Sequence, residues 1–288
     1  MIRYSGFFRS LPRFAPSFLP RALMLSAVLG LVAGCGWFQR KDPLETLPVE
    51  EMYATAKESL VGGNLSRAAR YYQRLIARFP YGDYTEQAML ELSYAQYRGN
   101  KHEEALSSIN RFIKTYPAHQ KIAYAFYLKA LINFERDTGV LERIVRIDST
   151  MRDMTNAKQS FDDFAEVIRR YPDTPYAVDA RQRMVYLRNR LARYEINVAT
   201  YYLRRGAYVA AAQRGKYVLE VYPQSQHQGD ALAVLSESYH QLGQEQLASD
   251  ARRVLELNNP KHPYLSGDWP NERSWLRKLW PFGDRQSG

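Results

Sequence analysis

Cysteine is almost absent from this chain of 288 residues, in which Cys35 is the only one. A single thiol cannot form an internal disulfide or a multi-cysteine metal site. The five histidines include no i, i+4 pair of the kind that binds zinc on one face of a helix. We therefore expect no metal ion and no other cofactor.

Motifs of catalysis and of nucleic-acid binding are missing as well. The chain has no glycine-rich phosphate loop, no G-x-S-x-G and no H-E-x-x-H sequence. Acid pairs such as Asp162-Asp163 are adjacent in sequence. Adjacent side chains on a helix point about 100° apart, which does not suit an acid/base pair. We therefore expect neither an enzyme nor a nucleic-acid-binding protein.

The net charge is +10, and four arginines lie before Cys35 in a stretch without acids, which leaves +6 for the remainder (10 − 4). This excess is spread along the chain, and no five basic residues follow one another. Solvated helix faces account for such a distribution. A preference for acidic partner surfaces is the alternative interpretation.

The first 35 residues have the pattern of an export signal. The apolar run ALMLSAVLGLV covers residues 22–32. At 11 residues it is about half of a bilayer span, and it is typical of a signal-peptide core. It ends in Val32-Ala33-Gly34-Cys35, which resembles a lipobox, the site at which bacterial lipoproteins are lipidated and cleaved. An ordinary secretory signal with an incidental cysteine is the alternative.

The lipobox resemblance implies a signal peptide over 1–34 and a mature chain that begins at lipidated Cys35. Acyl chains on one residue attach a protein to a membrane without a spanning helix. Gly36, not aspartate, follows the cysteine. In Gram-negative lipoproteins this favours the outer membrane, here on its periplasmic face. Residues 35–48, with two prolines and several charges, predict a flexible tether.

Internal repetition organises the rest of the chain. Prolines recur at positions 80, 117, 172, 223 and 260. A small residue lies 12 positions before each proline: Ala68, Ala105, Ser160, Ala211 and Ala248. A second one lies 12 positions further upstream in four units: Ala56, Ser93, Ala199 and Ser236. A glycine lies between the two small residues in each of these units: Gly63, Gly99, Gly206 and Gly243.

Each unit therefore predicts a helix, a turn and a second helix that ends before proline. Proline disfavours helical geometry at the preceding residue, glycine suits the tight turn, and small residues let paired helices approach closely. The spacing resembles the tetratricopeptide repeat. Five units over residues 49–261 predict an all-α superhelix of about ten helices with a concave and a convex face.

Two units are longer than the 37 residues that separate Pro80 from Pro117. In the third, 18 extra residues fall within the turn, which predicts an insertion at about 136–156. In the fourth, 14 extra residues precede the first helix. Residues 176–205 contain no proline or glycine and keep an apolar helical pattern, so one long helix is predicted there.

Two groups of residues are candidates for protein binding. In repeats one and two, some tyrosines belong to the core, and we hypothesise that the remainder line a groove for aromatic-rich extended segments; the candidates are Tyr71, Tyr72, Tyr81, Tyr94 and Tyr97. Around the turn of repeat four, arginine and tyrosine are the types enriched in binding hot spots; the candidates are Tyr202, Arg205, Tyr208 and Arg214. Packing also explains Tyr202, whereas the two arginines suit a partner's carboxylates.

The tail over 262–288 is rich in aromatic residues: Trp269, Trp275, Trp280 and Phe282. Its segment SWLRKLW resembles a short amphipathic turn of helix. Capping of the last repeat is one interpretation. Docking on a partner or on a membrane surface is the other.

Several segments resemble the BamD family, also called ComL, of outer-membrane lipoproteins. They are MYATA at 52–56, RFPYGDYTEQA at 78–88 and, above all, RLARYEINVATYYLRRGAYVAAAQR at 190–214. The lipobox and the five repeats agree, so the resemblance covers residues 32–260.

This resemblance implies an adaptor of the barrel-assembly (BAM) complex. Its C-terminal repeats would bind the POTRA region of the barrel insertase BamA, and its N-terminal repeats would bind unfolded outer-membrane proteins. Other lipoproteins of the complex are further implied partners.

Two rival interpretations remain open. A lipid-anchored repeat protein that serves as a pilotin for secretin or pilus assembly would share the anchor and the fold. A cell-wall enzyme would need a catalytic module, and no segment outside the repeats is long enough to form one.

Overall fold

The computed structural model describes residues 46–137 and 154–269, and within these ranges every regular element is a helix. Within these ranges, ten α-helices follow one another in five antiparallel hairpins. They are α1 (Val49–Val61), α2 (Leu65–Arg78), α3 (Asp83–Arg98), α4 (His102–Thr115), α5 (Ile122–Asp137), α6 (Thr155–Arg170), α7 (Pro175–Arg204), α8 (Tyr208–Val221), α9 (Gln228–Gln241) and α10 (Glu245–Asn258). The predicted all-α tetratricopeptide-type fold is confirmed.

The second helix of each repeat ends two residues before the repeat's proline. In α2, for example, Arg78 is the last helical residue, and the C-cap Phe79 has φ −123° and ψ 85°. The capping residues of α4, α6, α8 and α10 have similar non-helical geometry, with ψ between 54° and 72°. Proline excludes the helical conformation from the residue before it, and this local rule fixes the register of all five repeats.

The small residues of the repeat lie where the paired helices cross. Ala130 of α5 and Ser160 of α6 are fully buried, and the Ser160 hydroxyl donates to the Ala130 carbonyl at 3.1 Å. Ser236 of α9 makes the same 3.1 Å bond to the carbonyl of Ala248 in α10. A larger side chain at these crossings would hold the backbones apart.

The turns use left-handed backbone at three of the four predicted glycines: Gly63, Gly206 and Gly243, with φ between +70° and +78°. Gly99 also lies in the predicted turn, but its φ is −83°. Asn100 takes the left-handed position instead, at φ 57°. Asparagine tolerates this conformation better than most residues, so the turn of repeat two needs no glycine there.

Helix α7 is the longest element in the described part of the chain, with 30 residues over Pro175–Arg204. It packs on α6 in its first half and on α8 and α9 in its second, and so links repeats three, four and five. One continuous core includes Phe164, Leu187 and Val218 along this path. The predicted insertion at 136–156 falls between α5 and α6, and residues 138–153 lie outside the described residues.

Gly215 of α8 lies at a close approach to α9. A Cβ atom at this position would lie 3.0 Å from the carbonyl oxygen of Ala231 and 3.2 Å from side-chain carbons of Val234 and Leu235. Glycine is unfavourable inside a helix, so its presence here reflects the tight packing between repeats four and five.

The segment after α10 turns back over the last hairpin. It forms a short 3-10 helix at Pro263–Ser266, and the left-handed Gly267, at φ 81°, ends that helix. Tyr264 and Trp269 then pack against the apolar cluster between α9 and α10. The tail from residue 270 onward, like residues 1–45 with the predicted signal peptide and Cys35, lies outside the described residues.

Candidate functional site

A band of tyrosine and charged side chains crosses the first helices of repeats one to four, which are α1, α3, α5 and α7. We call it the tyrosine band. Its members are Tyr53, Tyr84, Glu91, Tyr94, Tyr97, Tyr124, Tyr127, Tyr176, Asp179 and Arg183. The contacts along it join residues far apart in sequence, so the band exists only once the hairpins have stacked.

Glu91 of α3 connects the side chains in the first part of the band. Its buried carboxylate accepts hydrogen bonds from Tyr53 Oη at 3.1 Å, from Gln87 Nε2 at 2.8 Å and from Tyr72 Oη. Lys57 Nζ lies 2.5 Å from Glu91 Oε1 and supplies the opposite charge. Burial alone raises the pKa of Glu91, but these hydrogen bonds more than offset it, and the pKa lies below its usual value.

Tyr94 and Tyr97 form the middle of the band, with ring centroids 6.4 Å apart. Tyr97 Oη donates to Glu135 Oε1 of α5 at 2.7 Å, and Arg98 Nη1 donates to Tyr94 Oη at 2.8 Å. Burial and the Glu135 carboxylate both raise the pKa of Tyr97. Both rings are half-buried, so a guest can contact one face of each.

The third part of the band joins α5 to α7. Tyr127 stacks on Tyr176 at a centroid distance of 5.2 Å and donates its hydroxyl to Asp179 Oδ2 at 2.6 Å. Burial and this carboxylate raise the pKa of Tyr127 to about 12. Arg183 Nε lies 2.5 Å from the same Asp179 oxygen. Aromatic faces and fixed charges therefore alternate along the band.

The structure divides the five tyrosines that the sequence suggested for client binding. Tyr94 and Tyr97 lie in the band. Tyr81 is 87% exposed in the turn before α3, and Tyr71 lies on α2, with the Arg67 guanidinium 5.4 Å from its ring centroid. Tyr72 has no exposed surface. Tyr72 therefore cannot contact a client directly. Its ring packs in the core, and its hydroxyl donates a hydrogen bond to Glu91.

Several band residues were not among the sequence candidates, and two of them had a detectable signal. Tyr53 and Tyr127 both lie three residues before the small residue of their repeat's first helix, at Ala56 and Ala130. Aligning the repeats would have placed them on one face. Tyr176 offered no such signal, because it lies in the extra turns that lengthen α7.

A second surface surrounds the turn between α7 and α8, and we call it the α7–α8 surface. Tyr202 is half-buried and packs on the core, and Tyr208 is half-buried at the start of α8. Arg205 is exposed, with its guanidinium 5.5 Å from the ring centroid of Tyr201. The exposed fractions of Tyr201 and Val209 are 51% and 58%, so the surface carries unshielded apolar area.

Arg214 of α8 lies beside this surface, and an ion pair with α7 holds its side chain in place. Its Nη1 atom lies 2.9 Å from Glu195 Oε2 of α7, whose side chain is only 11% exposed, whereas 42% of the Arg214 side chain is exposed. Burial acts to lower the pKa of Arg214, but the hydrogen bond to Glu195 raises it overall. A guanidinium has five N–H donors, so Glu195 orients the group and leaves donors for a partner.

The described part of the chain shows no metal-binding cluster of three or more histidine, cysteine, aspartate or glutamate residues. It also contains no helix whose length and hydropathy would allow it to cross a bilayer.

Comparison with known proteins gives consistent matches. A family model described as an outer membrane lipoprotein, YfiO, matches residues 45–255. The relative from Xylella fastidiosa (strain 9a5c), named outer membrane protein assembly factor BamD, is 47% identical over 95% of this chain and 93% of its own length. Proteins of the same name from Neisseria gonorrhoeae and Vibrio cholerae are 39% and 33% identical over 80% and 81% of this chain, and over 86% and 97% of their own lengths.

Two solved structures are similar only at a general level. The TPR2AB domain of yeast Sti1 and a pilF protein of Pseudomonas aeruginosa match with TM-scores of 0.40 and 0.33, at 10% and 13% identity. They cover 75% and 86% of this chain, and 79% and 95% of their own chains. Neither similarity supports an inference about function.

Proposed function

Because the chain belongs to the BamD family of outer membrane lipoproteins, we propose that it is a non-catalytic adaptor of the barrel-assembly complex. In this proposal the α7–α8 surface binds the POTRA region of a BamA-type insertase. The tyrosine band binds unfolded outer-membrane proteins before their insertion. Acyl chains on Cys35 hold the protein at the periplasmic face of the outer membrane.

The orientation of Arg214 by Glu195 is the observation that carries the insertase proposal. A guanidinium that is already fixed loses little side-chain freedom when a partner's carboxylate binds it. Tyr201 and Arg205, which are exposed at the turn between α7 and α8, are residue types enriched in binding hot spots, and exposed Val209 adds apolar area there. The surface therefore combines an aligned charge with adjacent apolar area.

The chemistry of the tyrosine band supports the client proposal. Three of its hydroxyls donate to carboxylates within the chain, in the pairs Tyr53–Glu91, Tyr97–Glu135 and Tyr127–Asp179. Partly exposed ring faces then remain for a guest. Aromatic faces bind aromatic and aliphatic side chains in many geometries, which suits clients that share a pattern but not a sequence.

Reversing the charge of Arg214 tests the insertase proposal. We expect Arg214→Glu to weaken binding of a purified BamA-type POTRA fragment about 30-fold, because it places a carboxylate opposite the partner's acids and abolishes the pair with Glu195. The affinity is measured by isothermal titration calorimetry. Lys216→Glu, an equal charge change two residues away on an exposed position, is expected to change it less than about threefold.

Equal weakening by both variants would show that only overall charge matters, and the α7–α8 surface would then not be the binding site. Unfolding monitored by circular dichroism separates lost binding from lost structure. If Arg214→Glu lost helicity as well as binding, Arg205→Glu would test the same surface instead. The Arg205 side chain is exposed and makes no ion pair within the described residues, so its replacement should leave the fold intact.

Removing two rings of the tyrosine band tests the client proposal. We expect Tyr94→Ala/Tyr97→Ala to weaken binding of a peptide from the C-terminus of an unfolded barrel protein about tenfold, because two aromatic contacts are lost. Fluorescence anisotropy of the labelled peptide gives the affinity. The matched control is Tyr239→Ala on α9, a half-buried tyrosine outside the band. Unchanged affinity in the double variant would refute client binding at the band.

A pilotin role is the alternative function. No contact in the described residues favours it, and membership in the BamD family argues against it. Recovery of a secretin instead of a barrel insertase in a mild-detergent pull-down would revive it.

A further inference from the structure

A groove lies between α2 and α4, the second helices of repeats one and two. Both helices pack mainly on α3 rather than on each other, so a cavity of about 230 Å³ remains between them. We call it the α2–α4 groove. It is lined by Ile76 and Ala77 of α2, Met89 and Leu92 of α3, and Arg111 of α4, among others.

The α2–α4 groove and the tyrosine band lie on different sides of α3. Successive residues of a helix are rotated by about 100°, so Met89 and Leu92 point about 160° away from Glu91 and Tyr94 of the band. A partner in the groove would therefore leave the band open to a client.

The groove combines an apolar floor with open polar groups. Ile76, Met89 and Leu92 form the floor, and each keeps between 5% and 8% of its surface exposed. Gln73 and Ser107 also line the groove, and their exposed side chains make no hydrogen bond to a described residue. The cavity is smaller than the about 300–1,000 Å³ of small-molecule sites. It suits one large apolar side chain, the usual anchor of a protein interface.

The cations beside the groove have no acidic partner in the chain's described residues. Arg111 lines the groove, is exposed and forms no ion pair within 46–137 and 154–269. Arg70 lies one turn before Gln73 on α2, and Lys114 lies one turn after Arg111 on α4. Both are exposed and unpaired over the same ranges.

Neighbouring acids do not neutralise these cations. Helix α2 contains four arginines and neither aspartate nor glutamate. The two acids of α4, Glu103 and Glu104, already pair with Arg136 and Lys101. A partner that brings its own carboxylates would therefore gain charge-assisted hydrogen bonds from the open donors beside the groove.

We propose that the α2–α4 groove binds an acidic segment of a partner protein. One large apolar side chain of the segment enters the cavity, and flanking carboxylates pair with Arg70, Arg111 and Lys114. A cavity of single-side-chain size, with cations on both helices and open hydrogen-bonding groups, fits a polypeptide better than a lipid or a nucleic acid. This inference is independent of the proposed function, which uses the other two surfaces.

A labelled peptide tests the proposal directly. The probe is a short fluorescein-labelled peptide with one central phenylalanine and two aspartates on each side, and fluorescence anisotropy follows its binding to the full-length chain. We expect saturable binding. Replacing the phenylalanine by alanine, or the aspartates by asparagines, is expected to weaken it about tenfold.

Substitutions in the groove identify the site. Ala77→Trp fills the cavity from an exposed position, and Arg111→Glu reverses the charge; each is expected to weaken binding about tenfold. The matched charge control is Lys158→Glu on α6, an exposed position without an ion pair in the described residues, with an expected change below about twofold. Tyr94→Ala/Tyr97→Ala is expected to leave the affinity unchanged.

Absence of saturable binding, or equal weakening by Arg111→Glu and Lys158→Glu, would overturn the proposal. Loss of binding in the tyrosine-band variant alone would overturn it too, because the peptide would then occupy the band. Phosphatidylglycerol vesicles are measured in parallel, and binding of vesicles but not of the peptide through Arg111 would assign the surface to lipid instead. If Ala77→Trp loses helicity, Ser107→Trp fills the same cavity from α4.

Discussion

Replacing Glu91 by alanine is expected to lower the free energy of unfolding by about 3 kcal/mol. The carboxylate accepts from four donors, and Tyr72 among them is fully buried, so its hydroxyl would be left without its acceptor. The ammonium of Lys57 is 47% exposed and regains water, which limits the loss. Urea unfolding followed by circular dichroism measures the effect.

Glu103→Ala is the matched control for Glu91→Ala. Glu103 lies on the adjacent helix α4 and pairs with Arg136, but its side chain is 77% exposed. Exposed ion pairs contribute little, so the control is expected to cost less than about 1 kcal/mol. Similar losses in the two variants would contradict the role of Glu91 as the link between repeats one and two.

The same carboxylate has a defined pH signature. The pKa of Glu91 is lowered on folding, so its contribution to stability is fully present above the unfolded pKa of about 4.3 and is lost as the pH falls through the folded value. The stability difference between wild type and Glu91→Gln should therefore shrink over this acidic range. A difference that stayed constant from pH 7 down to pH 2 would show that folding does not lower the pKa of Glu91.

Asp163→Ala is expected to have a comparable effect, a loss of about 3 to 4 kcal/mol. Only 4% of the Asp163 side chain is exposed. It pairs with Lys129 Nζ at 3.0 Å and accepts from Asn133 Nδ2 at 2.7 Å, which ties α5 to α6. Lys129 is 22% exposed, so the substitution would leave a largely buried positive charge without its partner. Urea unfolding again provides the measurement.

The control for this variant is Glu166→Ala on the same helix, where the ion pair with Arg170 is half-exposed. It is expected to cost less than about 1 kcal/mol. A further variant, Asp163→Asn, keeps an acceptor but removes the charge, and its loss should fall between those of the other two. If Asp163→Ala and Glu166→Ala unfolded at the same urea concentration, the buried network would not stabilise repeat three.

Local chemistry explains why so much of the fold could be predicted. The residue before each proline must leave helical geometry, and this fixed the ends of α2, α4, α6, α8 and α10 from sequence alone. Small residues spaced 12 apart marked the helix crossings, because each of them contacts the neighbouring helix of the same hairpin. Gly99 shows the limit, since Asn100 satisfied the left-handed requirement instead.

The binding surfaces were less predictable, because they depend on contacts between repeats. Tyr72 and Tyr71 are adjacent in sequence, but helical rotation buries the first and leaves the second half-exposed. Tyr97 can donate a hydrogen bond to Glu135 only because α3 and α5 stack side by side. The partnership of Arg214 with Glu195 likewise crosses from α8 to α7, and no spacing rule within one helix reveals it.

Depletion of this protein in its native host is the measurement that tests the central claim most directly. The folded fraction of outer-membrane barrel proteins is followed by their heat-modifiable mobility, together with the multimeric state of any secretin. The barrel-assembly proposal predicts that folded barrels fall several-fold and that wild-type protein, but not Arg214→Glu, restores them. Normal barrel assembly with loss of secretin multimers would contradict it and favour a pilotin.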